Sequence, residues 1–100
     1  MTWRSITESE MEELLQISVL ELSPSALLKF ERLRIPITPR CCRRADTDGY
    51  VFAVARSSKA TLIFDDVEEE FAISEQVDLP VLEIWDLLGP LEAAVQNLDE

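Results

Sequence analysis

The chain has 100 residues, of which 47% are hydrophobic, and it contains no histidine and only two glycines. This length suits one domain with a core that needs no disulfide or metal, and the composition excludes collagen-like and low-complexity chains. We therefore expect residues 1–100 to form a single domain. The formal net charge of −11 opposes binding to nucleic acid and to anionic membranes.

The first third of the chain carries two helix-start signals. Thr7 and Glu10 have the spacing of a capping box, in which each side chain accepts a hydrogen bond from the other residue's backbone amide. Apolar residues then recur at helical spacing, which predicts a helix from about Glu8 to Glu21. Ser23 is a suitable cap and a proline follows it, which predicts a second helix over Pro24–Leu33.

The middle of the chain favours strands. Ile35 to Pro39 cannot be helical, because both prolines push the preceding residue toward an extended conformation. We interpret it as a lead-in or edge strand, followed by a strand over 40–45 and a turn over 46–49. Tyr50–Arg56 and Ala60–Phe64 are rich in β-formers and are joined by a short connection, which predicts a hairpin central to a sheet.

The residues after the hairpin fit two patterns. Phe71 suits a helical turn when paired with Val67, and a strand when paired with Ile73. We favour a turn at Asp65–Asp66 and a short third strand around Glu69–Ile73.

A helix is predicted from Leu79 to Leu98, with Asp78 as its N-cap. Its apolar residues alternate spacings of three and four, as in a heptad seam. These residues are Val81, Ile84, Leu88, Leu91, Val95 and Leu98. Gly89-Pro90 interrupts the pattern, so either the helix kinks at Pro90 or two shorter helices meet there.

These elements predict an α+β fold with two N-terminal helices, a small, mainly antiparallel sheet with a central hairpin, and a C-terminal helix packed on the sheet.

Charge is distributed unevenly along the chain. Residues 29–59 contain eight basic and three acidic residues, whereas residues 60–100 contain twelve acidic and no basic residues. The two segments either neutralise each other within the fold or leave an acidic patch that speeds association with a cationic partner.

The residue types needed for most catalysis are missing. Without histidine the chain lacks the commonest general base and the commonest zinc ligand, and two glycines cannot build a phosphate-binding loop. Cys41 and Cys42 are adjacent, so a disulfide between them would be strained. Arginines flank them and promote thiol reactivity, but we favour one core thiol and one surface thiol over a redox sensor. We expect no catalytic residue, no metal, no cofactor and no enzyme activity.

The acidic residues after the hairpin allow three interpretations. They could bind Ca²⁺ or Mg²⁺, or supply a carboxylate pair for acid–base chemistry, although neither signal is specific. Asp46–Gly49 matches the start of a calcium loop but lacks its other ligands, so a plain turn is favoured. We favour an acidic ridge beside an exposed aromatic side chain that faces a basic partner. The predicted partner-binding residues are Asp65, Asp66, Glu68, Glu69, Glu70 and Phe71.

The expected function is a small cytoplasmic binding domain that inhibits or regulates a basic protein partner, in the manner of an immunity protein or a nucleic-acid mimic. We expect neither nucleic acid nor a membrane as a partner. The net charge of −11 opposes both, and the residues shown contain no hydrophobic leader or spanning segment. The alternative is a structural or assembly subunit, or a homodimer, that acts through an apolar face of the last helix. That face comprises Val81, Ile84, Trp85, Leu88, Leu91 and Val95.

Overall fold

The computed structural model describes residues 6–44, 47–66, 68–74, 81–83 and 87–99. Within these ranges the elements are α1 (Glu8–Leu20), α2 (Pro24–Leu33), β1 (Arg34–Arg44), β2 (Thr47–Arg56), β3 (Thr61–Asp65), β4 (Glu70–Ser74), β5 (Val81–Glu83), β6 (Leu87–Gly89) and α3 (Leu91–Asn97). The predicted α+β class is confirmed, because the helices flank a mainly antiparallel sheet and α3 packs against β4 and β6.

The starts of α1 and α2 follow from local sequence. The Glu10 amide donates to Thr7 Oγ1 at 3.1 Å, and the Thr7 amide donates to Glu10 Oε1 at 3.0 Å, so the predicted capping box is confirmed. Ser23 caps α2 by accepting from the Ala26 amide at 3.3 Å. Among the described residues, no helix has the length and hydrophobicity needed to cross a lipid bilayer.

The sheet has six strands in the order β5-β1-β2-β3-β4-β6. The predicted hairpin forms β2 and β3 and lies at the centre, as expected. The predicted third strand is β4, and all strand pairs are antiparallel except β1 with β5, where Cys41 pairs with Val81.

The sheet cannot be flat. Glu83 ends β5 and Leu87 begins β6, so the two edge strands are joined by four Cα–Cα steps that reach at most about 15 Å. Across a flat six-stranded sheet the edges would be about 24 Å apart. The sheet therefore curls to bring its edges together. Irregular register in β1, between β2 and β3, and between β4 and β6 fits this, since bulges bend and twist strands.

Both faces of the central strands are buried. The larger cluster packs the three helices against one face, with Met11, Phe30 and Leu91 among its members. The smaller cluster on the other face is built around Ala53 and Ile63. Because residues 53–55 of β2 and all of β3 are buried, the hairpin lies at the centre of the core, although Tyr50 near the start of β2 is exposed.

The predicted helix over residues 79–98 is largely wrong. Val81–Glu83 and Leu87–Gly89 are strands, and the helix starts only at Leu91. Gly89 adopts φ +84°, outside helical geometry, and Pro90 precedes the helix as its N-cap. The two short strands gain backbone pairing with β1 and β4 that a helix in their place would forgo.

Two further predictions concern the turn over residues 46–49 and the cap and seam of the last helix. The turn predicted over residues 46–49 is wrong for Thr47 to Gly49, which lie in β2 and pair with β1. The expected cap Asp78, together with Ile84 and Trp85 of the predicted seam, lies outside the described residues.

The conformation of Gly89 distinguishes this fold from the predicted helix. Gly89→Ala should lower the free energy of unfolding by about 1–2 kcal/mol, because an L-residue is strained in the left-handed region. If Gly89 lay within a helix, the same change would instead raise the free energy of unfolding by about 1 kcal/mol. Urea denaturation measures the difference. The matched control is Gly49→Ala in β2, where an added Cβ would meet nothing within 4 Å, so no loss of stability is expected.

Candidate functional site

A cavity of about 800 Å³ lies where α1, the β3–β4 connection and the start of α3 meet. Ligand pockets in proteins typically measure about 300–1,000 Å³. Its apolar walls are formed by Ile6, Leu14, Phe64, Phe71, Pro90 and Leu91. Its carboxylates come from Glu21, Asp66, Glu69, Glu70 and Glu92, and no basic side chain is among the described residues that line it. The cavity therefore combines apolar walls with five acidic side chains.

Two aromatic rings form part of the apolar wall. Phe64 on β3 and Phe71 on β4 are cross-strand partners, with ring centroids 5.0 Å apart in an edge-to-face arrangement. Phe71 is only 3% exposed, so the expectation of an exposed aromatic beside the acids is wrong. Its alternation with Ala72 places it on the helix-covered face of the sheet, where it packs in the larger core cluster.

Asp66 is the most unusual side chain at the cavity. It is 6% exposed, and its Oδ2 accepts a hydrogen bond from the Ile6 amide at 3.1 Å. Its Oδ1 is buried and has no hydrogen-bond partner among the described residues. An unsatisfied buried polar atom costs about 1–3 kcal/mol, and more when it is charged, so this oxygen weakens the fold unless a ligand engages it.

The neighbouring acids have different roles. Asp65 is fully buried, and its Oδ1 accepts from the Glu68 amide at 3.3 Å, which holds the turn between β3 and β4. Glu68 and Glu69 are exposed, and Glu69 has φ +57°, a left-handed conformation that costs a non-glycine residue about 1–2 kcal/mol. Such strain tends to persist where the surrounding structure serves a function.

The structure brings only part of the predicted partner-binding set to the cavity. Asp66, Glu69, Glu70 and Phe71 line it, whereas Asp65 and Glu68 do not. That any of these residues contacts a partner stays a prediction.

Two acids at the cavity were missed by the sequence reasoning. Glu21 follows the last turn of α1, and Glu92 lies in the first turn of α3, far from the acidic run in sequence. Only the position of Glu92 just after Pro90 hinted at a helix start, and nothing in the sequence placed either acid beside the β3–β4 connection.

Glu92 joins two helices at the cavity wall. Its Oε1 accepts from the Ser23 amide at 2.8 Å, its Oε2 accepts from the Ser23 hydroxyl at 2.9 Å, and Gln96 also donates to it. The hydrogen bond from the Ser23 backbone, aided by those from the two side chains, holds the pKa of Glu92 below its ordinary value. Its carboxylate is thus engaged within the protein.

The basic and acidic segments of the chain lie on different elements of the fold. Four of the six arginines in residues 29–59 lie on β1, whereas Asp66, Glu69 and Glu70 lie in the β3–β4 connection or at the start of β4. In the strand order, β2 and β3 lie between β1 and β4.

The apolar face proposed for assembly does not exist as a helix surface. Leu91 and Val95 are 2% and 1% exposed and pack in the protein's own core. Leu88 is half-buried in β6 and Val81 belongs to β5, while Ile84 and Trp85 lie outside the described residues.

The two cysteines point to opposite sides of β1. Cys42 is the predicted core thiol, buried in the smaller core cluster, whereas Cys41 is half-buried. Cys41 lies opposite Tyr50 of β2. A hydrogen bond with the Cys41 side chain raises the pKa of the Tyr50 hydroxyl above its ordinary value.

Within the part of the chain that the structure describes, no three Cys, Asp or Glu side chains are grouped so that they could hold a metal ion. Compared with known protein families, curated proteins and solved structures, the chain matches none of them.

The cost of the buried Asp66 carboxylate is testable. Asp66→Asn should leave the free energy of unfolding unchanged or raise it by about 1 kcal/mol, because a neutral amide is less costly to bury and can still accept from the Ile6 amide. Urea denaturation at pH 7 measures it. A loss clearly above about 1 kcal/mol would show instead that the fold requires the carboxylate.

The bonds of Glu92 predict a pH dependence. Because its pKa is lowered in the folded protein, its contribution to stability is present above the ordinary value of 4.5 and is lost as pH falls through the folded value. The wild type should therefore be more stable than Glu92→Gln at pH 7, and the gap should close in strong acid. Denaturation at a series of pH values checks this, with Glu12→Gln on α1 as the control for losing one charge. A gap independent of pH would contradict the assignment.

Proposed function

We propose that this protein is a small acidic binding domain that inhibits or regulates a basic protein partner. The observation that carries the proposal is the cavity with an apolar interior and five carboxylates, in which the described lining residues carry no positive charge. The partner contacts the mouth of this cavity and the acidic turn beside it, by which we mean Glu68, Glu69 and Glu70.

The two parts of the site act at different ranges. The exposed acids attract a positively charged surface before contact and so raise the association rate, which falls with salt. The apolar walls act once water is excluded, where a partner side chain that fills a pocket supplies most of the binding free energy. This division suits tight, specific binding better than a uniformly charged surface does.

An exposed apolar side chain beside the cavity favours a protein as the partner. Ile17 on α1 is 60% exposed. Ile17 lies three residues after Leu14 and four before Glu21, which both line the cavity, so it sits at the cavity rim. Aliphatic groups in that position add contact area for a protein surface.

The concave shape of the site favours one of the two forms of inhibitor. A nucleic-acid mimic would need carboxylates spaced along a surface like the phosphates of a duplex. Carboxylates gathered around an apolar cavity instead suit an inhibitor that receives a side chain from its target.

Neutralising the acidic turn tests the proposal. Immobilised wild type should retain a basic protein from the source cell's lysate at low salt and release it sharply at moderate salt. The triple variant Glu68→Gln, Glu69→Gln and Glu70→Gln should retain much less of it. With the purified partner, the variant should associate about tenfold or more slowly at low salt and show a weaker salt dependence.

A charge-matched variant distinguishes a specific site from ion exchange. Glu8, Glu12 and Glu13 of α1 are exposed and do not line the cavity, so changing all three to Gln removes the same charge elsewhere. This control should retain the partner as the wild type does. Equal loss in both triple variants would contradict the site, and retention at high salt or capture of the protein's own chain alone would favour assembly through apolar contacts.

A further inference from the structure

We propose that the cavity binds an alkylammonium group, presented as a lysine side chain flanked by apolar residues on the partner, with the Asp66 carboxylate as its acceptor. This inference rests on the proposed function and specifies its chemistry. A cavity lined by acids attracts any cation, so the inference depends on a second feature, the buried carboxylate at its wall.

Asp66 lacks a donor that an ammonium would supply. The side chain is more than nine-tenths buried, and its Oδ1 has no hydrogen-bond partner among the described residues. Removing a carboxylate from water without pairing it is unfavourable, and a charged donor offsets that cost most effectively. Glu92, by contrast, already accepts hydrogen bonds from Ser23 and Gln96.

The available geometry favours an ammonium over a guanidinium. An arginine pairs best with a carboxylate when two parallel hydrogen bonds reach both oxygens. Asp66 Oδ2 already accepts from the Ile6 amide, which leaves one oxygen for the ligand. A lysine ammonium is a compact charge that needs only one acceptor in line, and its other protons can reach water or neighbouring acids.

The apolar walls match the rest of such a ligand. Phe64, Phe71 and Leu91 are each at most 3% exposed and line the same cavity as Asp66, so they supply hydrocarbon surface beside the carboxylate. A lysine buries its four-carbon stem against such a surface while its charged end reaches a polar group. At about 800 Å³ the cavity exceeds one side chain and leaves room for apolar neighbours of the lysine.

The test uses hexylammonium chloride as a probe of the intact chain, followed by NMR shifts of the backbone amides of Ser18, Phe71 and Leu91. Hexylammonium should bind at least about tenfold more tightly than 1-hexanol, since a hydrogen bond to a charged group is worth about 1.5–3 kcal/mol. Hexylguanidinium should bind more weakly than hexylammonium. A capped tripeptide with lysine between two leucines should bind more tightly than the free amine, which identifies a side chain as the source.

Two variants assign the site. Asp66→Asn should weaken hexylammonium binding about tenfold or more while leaving 1-hexanol binding unchanged. Glu68→Gln is the matched control, because it removes a charge from the same turn but outside the cavity, and it should change affinity by less than about threefold. If Asp66→Asn fails to fold, Ser18→Leu, which keeps every charge and narrows the cavity, should abolish binding of both probes.

The outcomes separate this inference from the proposed function. Equal affinities for hexylammonium and 1-hexanol, or unchanged hexylammonium binding by Asp66→Asn, would overturn the ammonium site. If the ammonium site is overturned in this way, loss of partner capture by the triple variant at Glu68, Glu69 and Glu70 would still uphold the proposed function. Asp66-dependent hexylammonium binding without any selective protein capture would uphold the ammonium site and assign it to a free amine.

Discussion

The connection between β5 and β6 constrains the whole architecture. It is too short to cross a flat sheet, yet its two ends pair with β1 and β4, on opposite sides of the central hairpin. Only a curled sheet satisfies both pairings. Because β6 is held beside β4, the chain that follows it starts α3 next to the β3–β4 connection. The cavity is a result of this placement, since its acids come from three parts of the chain that meet only when the sheet is complete.

The features that cost stability are concentrated at that same place. Asp66 keeps a buried oxygen without a partner among the described residues, and Glu69 holds a left-handed backbone. Both lie in the connection between β3 and β4, while the strands on either side pair regularly and pack tightly. A protein selected only for stability would favour an amide at the first position and glycine at the second. Their concentration at a cavity is typical of sites that trade stability for binding.

Sequence reasoning succeeded where the determining interactions are local. The capping box at Thr7, the Ser23 cap and the β2–β3 hairpin each depend on residues close in the chain, and each is confirmed. The prediction of one long helix over residues 79–98 failed because apolar spacings of three and four also occur in short strands broken by turns. What decided between them was pairing with β1 and β4, which a local pattern cannot report. The same holds for the candidate site. The contiguous acids after the hairpin were identified from the sequence, whereas Glu92, which is distant from them in the chain, was not.

The parallel pairing of β1 with β5 has a consequence for how the chain folds. It joins Cys41 to Val81, so the loop that must close is long, and contacts of this kind slow folding. The helices and the central hairpin can form early from neighbouring residues, whereas the sheet edges and α3 must wait for this closure. The cavity spans Ile6 to Glu92 and so exists only in the fully folded chain. Any ligand that occupies it therefore slows escape to partly unfolded states and protects the chain from proteolysis in proportion to its occupancy.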